Sequence, residues 1–119
     1  MHGLRILIVD DDKEFLALLS KSIESWGYEV ISASGGKEAL GMIKNKKADI
    51  VILDYLMPNM NGAETLEKIR RIDKKVPVIM FTASVQNMDT RIKESGADDY
   101  LLKPFNPEQL LEKVKKFLD

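Results

Sequence analysis

The chain has 119 residues, the size of one domain able to bury about two thirds of its unfolded surface. Apolar residues make up 45% and charged residues 31%, which excludes a disordered chain, and a formal net charge of -1 provides no basic face for nucleic acid. With no cysteine there are no disulfides or thiolate metal sites, and the single histidine, His2, stands at the terminus and leaves no internal histidine for catalysis.

Residues 4–9 form an apolar run without alternation, as expected of a strand covered on both faces. After Asp10-Asp11-Asp12, Phe15, Leu18, Leu19, Ile23 and Trp26 recur near the helical period and predict a first helix, stopped by Gly27. Residues 28–33 read as a second strand. Ser34 is placed to cap a second helix carrying Ala39, Leu40 and Ile43 inward, and Lys44-Asn45-Lys46-Lys47 reads as a solvated turn. Residues 49–53 form a third strand, and Asn61-Gly62 leads into a helix with Leu66 and Ile69 inside. Residues 76–81 form a fourth strand with Pro77 near its start. A helix with few apolar points, Met88 and Ile92, is expected over 85–95 and ends at Gly96. Residues 100–102 form a short fifth strand. Asn106, Pro107 and Gln109 mark the start of a last helix that buries Leu110, Leu111, Val114, Phe117 and Leu118.

Five strands alternating with five helices imply a parallel sheet with helices on both faces. Such sheets carry their functional groups beyond the carboxyl ends of the strands. Here those ends are Asp10-Asp11, Asp54, Thr82-Ala83-Ser84 and Lys103-Pro104. Three carboxylates, a hydroxyl and one lysine then converge on one edge. Three anions so close raise one another's pKa values unless a cation neutralises them, and one lysine is insufficient. A hard divalent ion with oxygen ligands, Mg²⁺, completes the balance. Asp12, and Asp11 with it, also fit the simpler role of helix cap.

Ile6-Leu7-Ile8-Val9-Asp10-Asp11, Leu53-Asp54-Tyr55-Leu56-Met57-Pro58, Thr82-Ala83 and Lys103-Pro104-Phe105 resemble, in order and spacing, the receiver domain of bacterial two-component response regulators, chemotaxis regulators among them. The resemblance runs from Leu4 to the C-terminus. It implies a flavodoxin-like doubly wound (βα)5 fold with five parallel strands in the order 2-1-3-4-5. It also implies a Mg²⁺-dependent phosphoacceptor switch, with Mn²⁺ able to substitute, in which Asp54 takes a phosphoryl group from a phosphohistidine. Asp11, Asp54 and the backbone carbonyl of Leu56 would ligate the metal, and Asp10 would act through water. Lys103, aimed inward by a cis Lys103-Pro104 bond, would pair with Asp54 before transfer and with a phosphoryl oxygen afterwards. Thr82 would sense the phosphoryl group, and Tyr100 would relay the change to the face built by the fourth helix, fifth strand and fifth helix. Leu56 and Ser84 occupy the positions that tune the phosphoryl lifetime, and neither suits the orientation of an attacking water. Slow self-hydrolysis is expected.

The partners implied are a sensor histidine kinase or histidine phosphotransfer protein, docking on the first helix through Phe15 and Leu18 or Leu19, and a downstream target the sequence does not name. No direct nucleic-acid contact and no membrane contact are expected, and no run approaches the ~20 apolar residues of a span. Residues 1–119 are expected to be one cytoplasmic receiver domain without an output domain, a monomer or a phosphorylation-dependent dimer, catalysing only its own phosphorylation and dephosphorylation. The alternative from another class is a Mg²⁺-dependent aspartate-nucleophile phosphohydrolase. Those enzymes usually place a second aspartate two residues after the nucleophile, where this chain has Leu56, and 119 residues leave no cap domain. A flavodoxin-like cofactor binder would need a phosphate cradle where Asp10-Asp11-Asp12 stands.

Overall fold

Each apolar run expected to be a strand is one: β1 (Arg5–Val9), β2 (Glu29–Ala33), β3 (Ile50–Asp54), β4 (Val78–Thr82) and β5 (Asp99–Leu102). They pair in parallel in the order β2-β1-β3-β4-β5, as the resemblance implies. Helices α1 (Lys13–Ser25), α2 (Gly36–Lys46) and α3 (Gly62–Ile72) connect the first four, and a C-terminal helix, Pro107–Leu118, follows β5. The computed structural model describes residues 3–46, 48–82 and 94–118. Ser84 and nearly all of the helix expected over 85–95 lie outside the described residues.

Alternation along each strand splits the core into two layers. Ile6, Ile8, Ile50, Ile52, Ile79, Phe81 and Leu101 pack against Leu16, Leu19 and Ile23 of α1 and against Leu110 and Val114 of the C-terminal helix. Leu7, Val9, Val51, Leu53, Val78 and Met80 face the other way, toward Ala39 and Ile43 of α2 and Leu66 and Ile69 of α3. Strands covered on both faces need apolar residues at every position, hence the unbroken runs of β1, β3 and β4. Burying each Ile or Leu stabilises by about 1.5–3 kcal/mol, so the sheet is a firm platform for its loops.

Caps begin three of the helices where the sequence places them. Asp12 accepts from the Glu14 and Phe15 amides at 3.1 Å and starts α1, while Trp26 is its C-cap. Asn61 and Glu64 form a reciprocal capping box on α3, and Asn106 and Gln109 exchange the same pair of bonds at the C-terminal helix.

Leu18 is 68% exposed, at 100° per residue on the side of α1 opposite the buried Leu16, so of the two docking candidates Leu18 and Leu19 it is the one that faces solvent. Three expectations change. Ser34 does not cap α2 by accepting from its amides. Instead its N–H and hydroxyl both donate to the Glu38 carboxylate, at 2.7 and 2.9 Å, which pulls the Glu38 pKa down. Lys44, Asn45 and Lys46 are not a turn but the last residues of α2, and Lys47 lies outside the described residues. On the C-terminal helix only Leu110 and Val114 are fully buried, and Leu111, Phe117 and Leu118 are half-covered at the edge of the layer.

Candidate functional site: a carboxylate cluster at the strand ends

Register brings the strand ends level. Val9 is paired with Leu53, Asp54 with Phe81, and Thr82 with Leu102, so Asp10, Asp54 and Lys103 follow one another across β1, β3 and β5. The alternation that points Ile6, Ile8, Ile50 and Ile52 toward α1 continues into Asp10 and Asp54. The result is a group of three carboxylates, Asp10, Asp11 and Asp54, with one oxygen from each lying within 4.8 Å of the others. Asp10 is 1% exposed and Asp54 6%, whereas Asp11 faces solvent. Of the three successive aspartates, Asp12 is the helix cap and Asp11 belongs to the cluster.

Asp10 accepts from the Asp12 amide at 3.0 Å and from Lys103 Nζ at 3.4 Å. Asp54 accepts from the Leu56 amide at 3.2 Å. The expected pairing of Lys103 with Asp54 is therefore corrected: among the described residues the lysine's ion pair is with Asp10. The ammonium also lies 4.4 Å from the centroid of the Phe15 ring and 4.8 Å from that of Phe81, so it is held on the Asp10 side. In the sequence Phe15 stands out only as a periodic position of the first helix and a docking residue, and Phe81 only as the last residue of the fourth strand. An aromatic residue one position before Thr82, level with Asp54, was the available signal.

Electrostatics single out Asp54. Burial, and then the neighbouring Asp10 charge, push its pKa up to about 7; Lys103 and the Leu56 amide oppose the rise without cancelling it. A divalent cation among these oxygens would relieve that repulsion, and an all-carboxylate donor set suits a hard ion such as Mg²⁺. The residues present fit the group.

The loop after β3 folds back beneath Asp54. Asn59 adopts the left-handed conformation (φ 72°), which asparagine tolerates, and the Gly62 amide donates to the Tyr55 carbonyl at 2.8 Å. A Cβ at Gly62 would lie 2.6 Å from the Asp54 carbonyl oxygen and 2.7 Å from Tyr55 Cα, so glycine is required there. Leu56 projects outward, 51% exposed. The Lys103-Pro104 bond is cis, as expected. Thr82 is fully buried at the end of β4. Tyr100 is half-buried against the α2–α3 layer, on the sheet face of its register partner Met80. By alternation Thr82 shares that face.

A doubly wound parallel sheet with an acidic cluster at its strand ends defines a receiver-type domain, and the comparisons agree. The family model described as "Response regulator receiver domain" matches residues 6–115, and the chain belongs to that family. It is thus a receiver domain of the two-component signalling systems. Among curated relatives, the alkaline phosphatase synthesis transcriptional regulatory protein PhoP of Bacillus subtilis is 38% identical over 115 residues, 96% of this chain and 48% of PhoP. This chain spans about half the length of the curated relatives it matches. Among solved structures, a CheY-like receiver domain from Methanospirillum hungatei superposes with a TM-score of 0.91 at 38% identity, covering 98% of this chain and 94% of the other. The response regulator TrrA of Thermotoga maritima, in complex with Mg²⁺ and BeF, gives 0.88 at 37% identity, covering 97% and 99%.

Proposed function

We propose that residues 1–119 act as one phosphoacceptor switch, in which the Asp54 carboxylate takes a phosphoryl group from a phosphohistidine. The observation that carries this reading is the meeting of Asp10, Asp11 and Asp54 at adjacent parallel strand ends, with Lys103 paired to Asp10 beside them. Asp54 presents a carboxylate oxygen as nucleophile, its backbone fixed by the ladder and by the close approach of Gly62. The P–N bond to the donor imidazole breaks as the P–O bond to Asp54 forms, and the imidazole departs with the electron pair. Little covalent work is asked of the protein, and positioning with charge stabilisation accounts for most of the rate. Asp11, Asp54 and the Leu56 carbonyl would hold Mg²⁺, or Mn²⁺ in its place, with Asp10 acting through water. When bound, the ion supplies charge neutralisation for the transferring phosphoryl oxygens. Lys103 must leave Asp10 to meet a phosphoryl oxygen.

Thr82 and Tyr100 lie on one face of the sheet, with Tyr100 opposite Met80, two residues before Thr82. That proximity supports a relay in which a displacement of Thr82 toward Asp54 opens space for the Tyr100 ring. The partner is a sensor histidine kinase or a histidine phosphotransfer protein, approaching over α1, where Leu18 is exposed and Phe15 half-exposed. The reading carries a cytoplasmic location with it; no helix among the described residues is long and apolar enough to cross a membrane.

The test is Mg²⁺-dependent labelling by a small phosphodonor, comparing the wild type with Asp54→Asn. Uptake should stop near one phosphate per chain and vanish in the variant. Unchanged labelling of the variant would remove Asp54 from the role, and continued turnover would favour a phosphohydrolase.

A further inference from the structure

Lys103 is held by more than its ion pair. Its ammonium lies over two aromatic rings, 4.4 Å from the Phe15 centroid and 4.8 Å from that of Phe81. Those rings are themselves 5.6 Å apart and tilted by 41°. Phe105 meets each of them edge-on at 6.1 Å and fixes their attitude. Phe81 is fully buried at the register position of Asp54, whereas Phe15 is half-buried in the first turn of α1. Phe15, Lys103, Pro104 and Phe105 border an open cavity of about 420 Å³, which leaves the lysine room to move. A cation facing two π-faces in a partly desolvated position is attracted by both ring quadrupoles.

We propose that the Phe15–Phe81 ring pair is a holding site for the Lys103 ammonium, retaining it on Asp10 and away from Asp54 until a phosphoryl group draws it across. Phe15 and Phe81 are then positioning residues that act through Lys103 and set how readily Asp54 accepts and keeps its phosphoryl group. This rests on Asp54 being the phosphoacceptor. The resting arrangement, with Lys103 paired to Asp10, is stabilised by the rings; the arrangement with Lys103 on a phosphoryl oxygen loses part of that attraction. Weakening one ring should therefore favour the second arrangement. Phe15 is the ring to change, since it is half-exposed and Leu keeps most of its volume without a π-face.

The experiment compares the wild type with Phe15→Leu and Phe15→Tyr. In NMR spectra of the unphosphorylated chain, the Lys103 ε-methylene protons should lie upfield of those of surface lysines such as Lys37, through the ring currents. They should move back toward the surface value in Phe15→Leu and recover in Phe15→Tyr. Labelling by a small phosphodonor in Mg²⁺ should be about threefold to tenfold faster in Phe15→Leu, and close to wild type in Phe15→Tyr. Lys103 protons at the surface position in the wild type, or unmoved in Phe15→Leu, would overturn the holding site. So would Phe15→Leu labelling at or below the wild-type rate while the wild type labels normally. Failure of the wild type itself to label would instead overturn the phosphoacceptor reading, and the proposal with it, whatever the ring-current shifts show.

Discussion

Asp54 titrates against the usual direction for a carboxylate, because burial and Asp10 favour its neutral form. Its pKa is about 7 when folded and about 4 when unfolded, so between those values the folded chain holds a proton the unfolded chain has released. The stability this gives is complete below about pH 4 and declines as pH rises through about 7. In the presence of a chelator, Asp54→Asn should be more stable than the wild type at pH 8 by on the order of 2 kcal/mol, with little difference at pH 4. Urea midpoints at the two pH values check this, and adding Mg²⁺ at pH 8 should narrow the gap. At Leu56 the exposed side chain offers no hydrogen bond to a water approaching the phosphoryl group. Leu56→Asn should shorten the phosphoryl half-life on the order of tenfold, measured by loss of label after donor removal. A wild-type half-life of seconds would contradict the slow self-hydrolysis expected of Leu56.

Two helical glycines of the same chain should respond in opposite senses to the same substitution. Gly62, the first residue of α3, is jammed against backbone of Asp54 and Tyr55, which cannot yield as a side chain would. Gly62→Ala should cost about 1–3 kcal/mol by overpacking and slow Asp54 labelling as the strand end is displaced. Gly41, inside α2, has nothing within 4 Å of where a Cβ would stand. Gly41→Ala should raise stability by about 0.5–1 kcal/mol through helix propensity and leave labelling unaffected. Denaturant midpoints with label incorporation separate the two. If both variants lose stability, the close approach under Asp54 is not what constrains Gly62.

The architecture of the whole molecule was legible because a sheet covered on both faces leaves a plain mark: unbroken apolar runs of about five residues, each ended by a polar group. The site followed from topology, since parallel strands carry their terminal Asp10, Asp54 and Lys103 to one edge. What the sequence could not convey depends on angles and distances across the fold. Leu18 and Leu19 are equally apolar and adjacent, yet only the rotation of α1 about its axis decides that Leu19 is buried. Lys103 could reach either carboxylate, and the choice of Asp10 follows from Phe15 and Phe81, 88 and 22 positions away in the chain. The placement of Trp26 has a further, spectroscopic consequence. This single tryptophan caps the C-terminal end of α1, about 21 Å along the helix from Asp12 at the site end. It is half-buried against the layer that α1 covers, so its emission should shift when the chain unfolds. Adding Mg²⁺ to the folded protein should leave that emission unchanged. The protein thus carries an intrinsic fluorophore that reports its folding but not the occupancy of its site, and a Mg²⁺-dependent quench would reveal that events at Asp54 travel the length of α1.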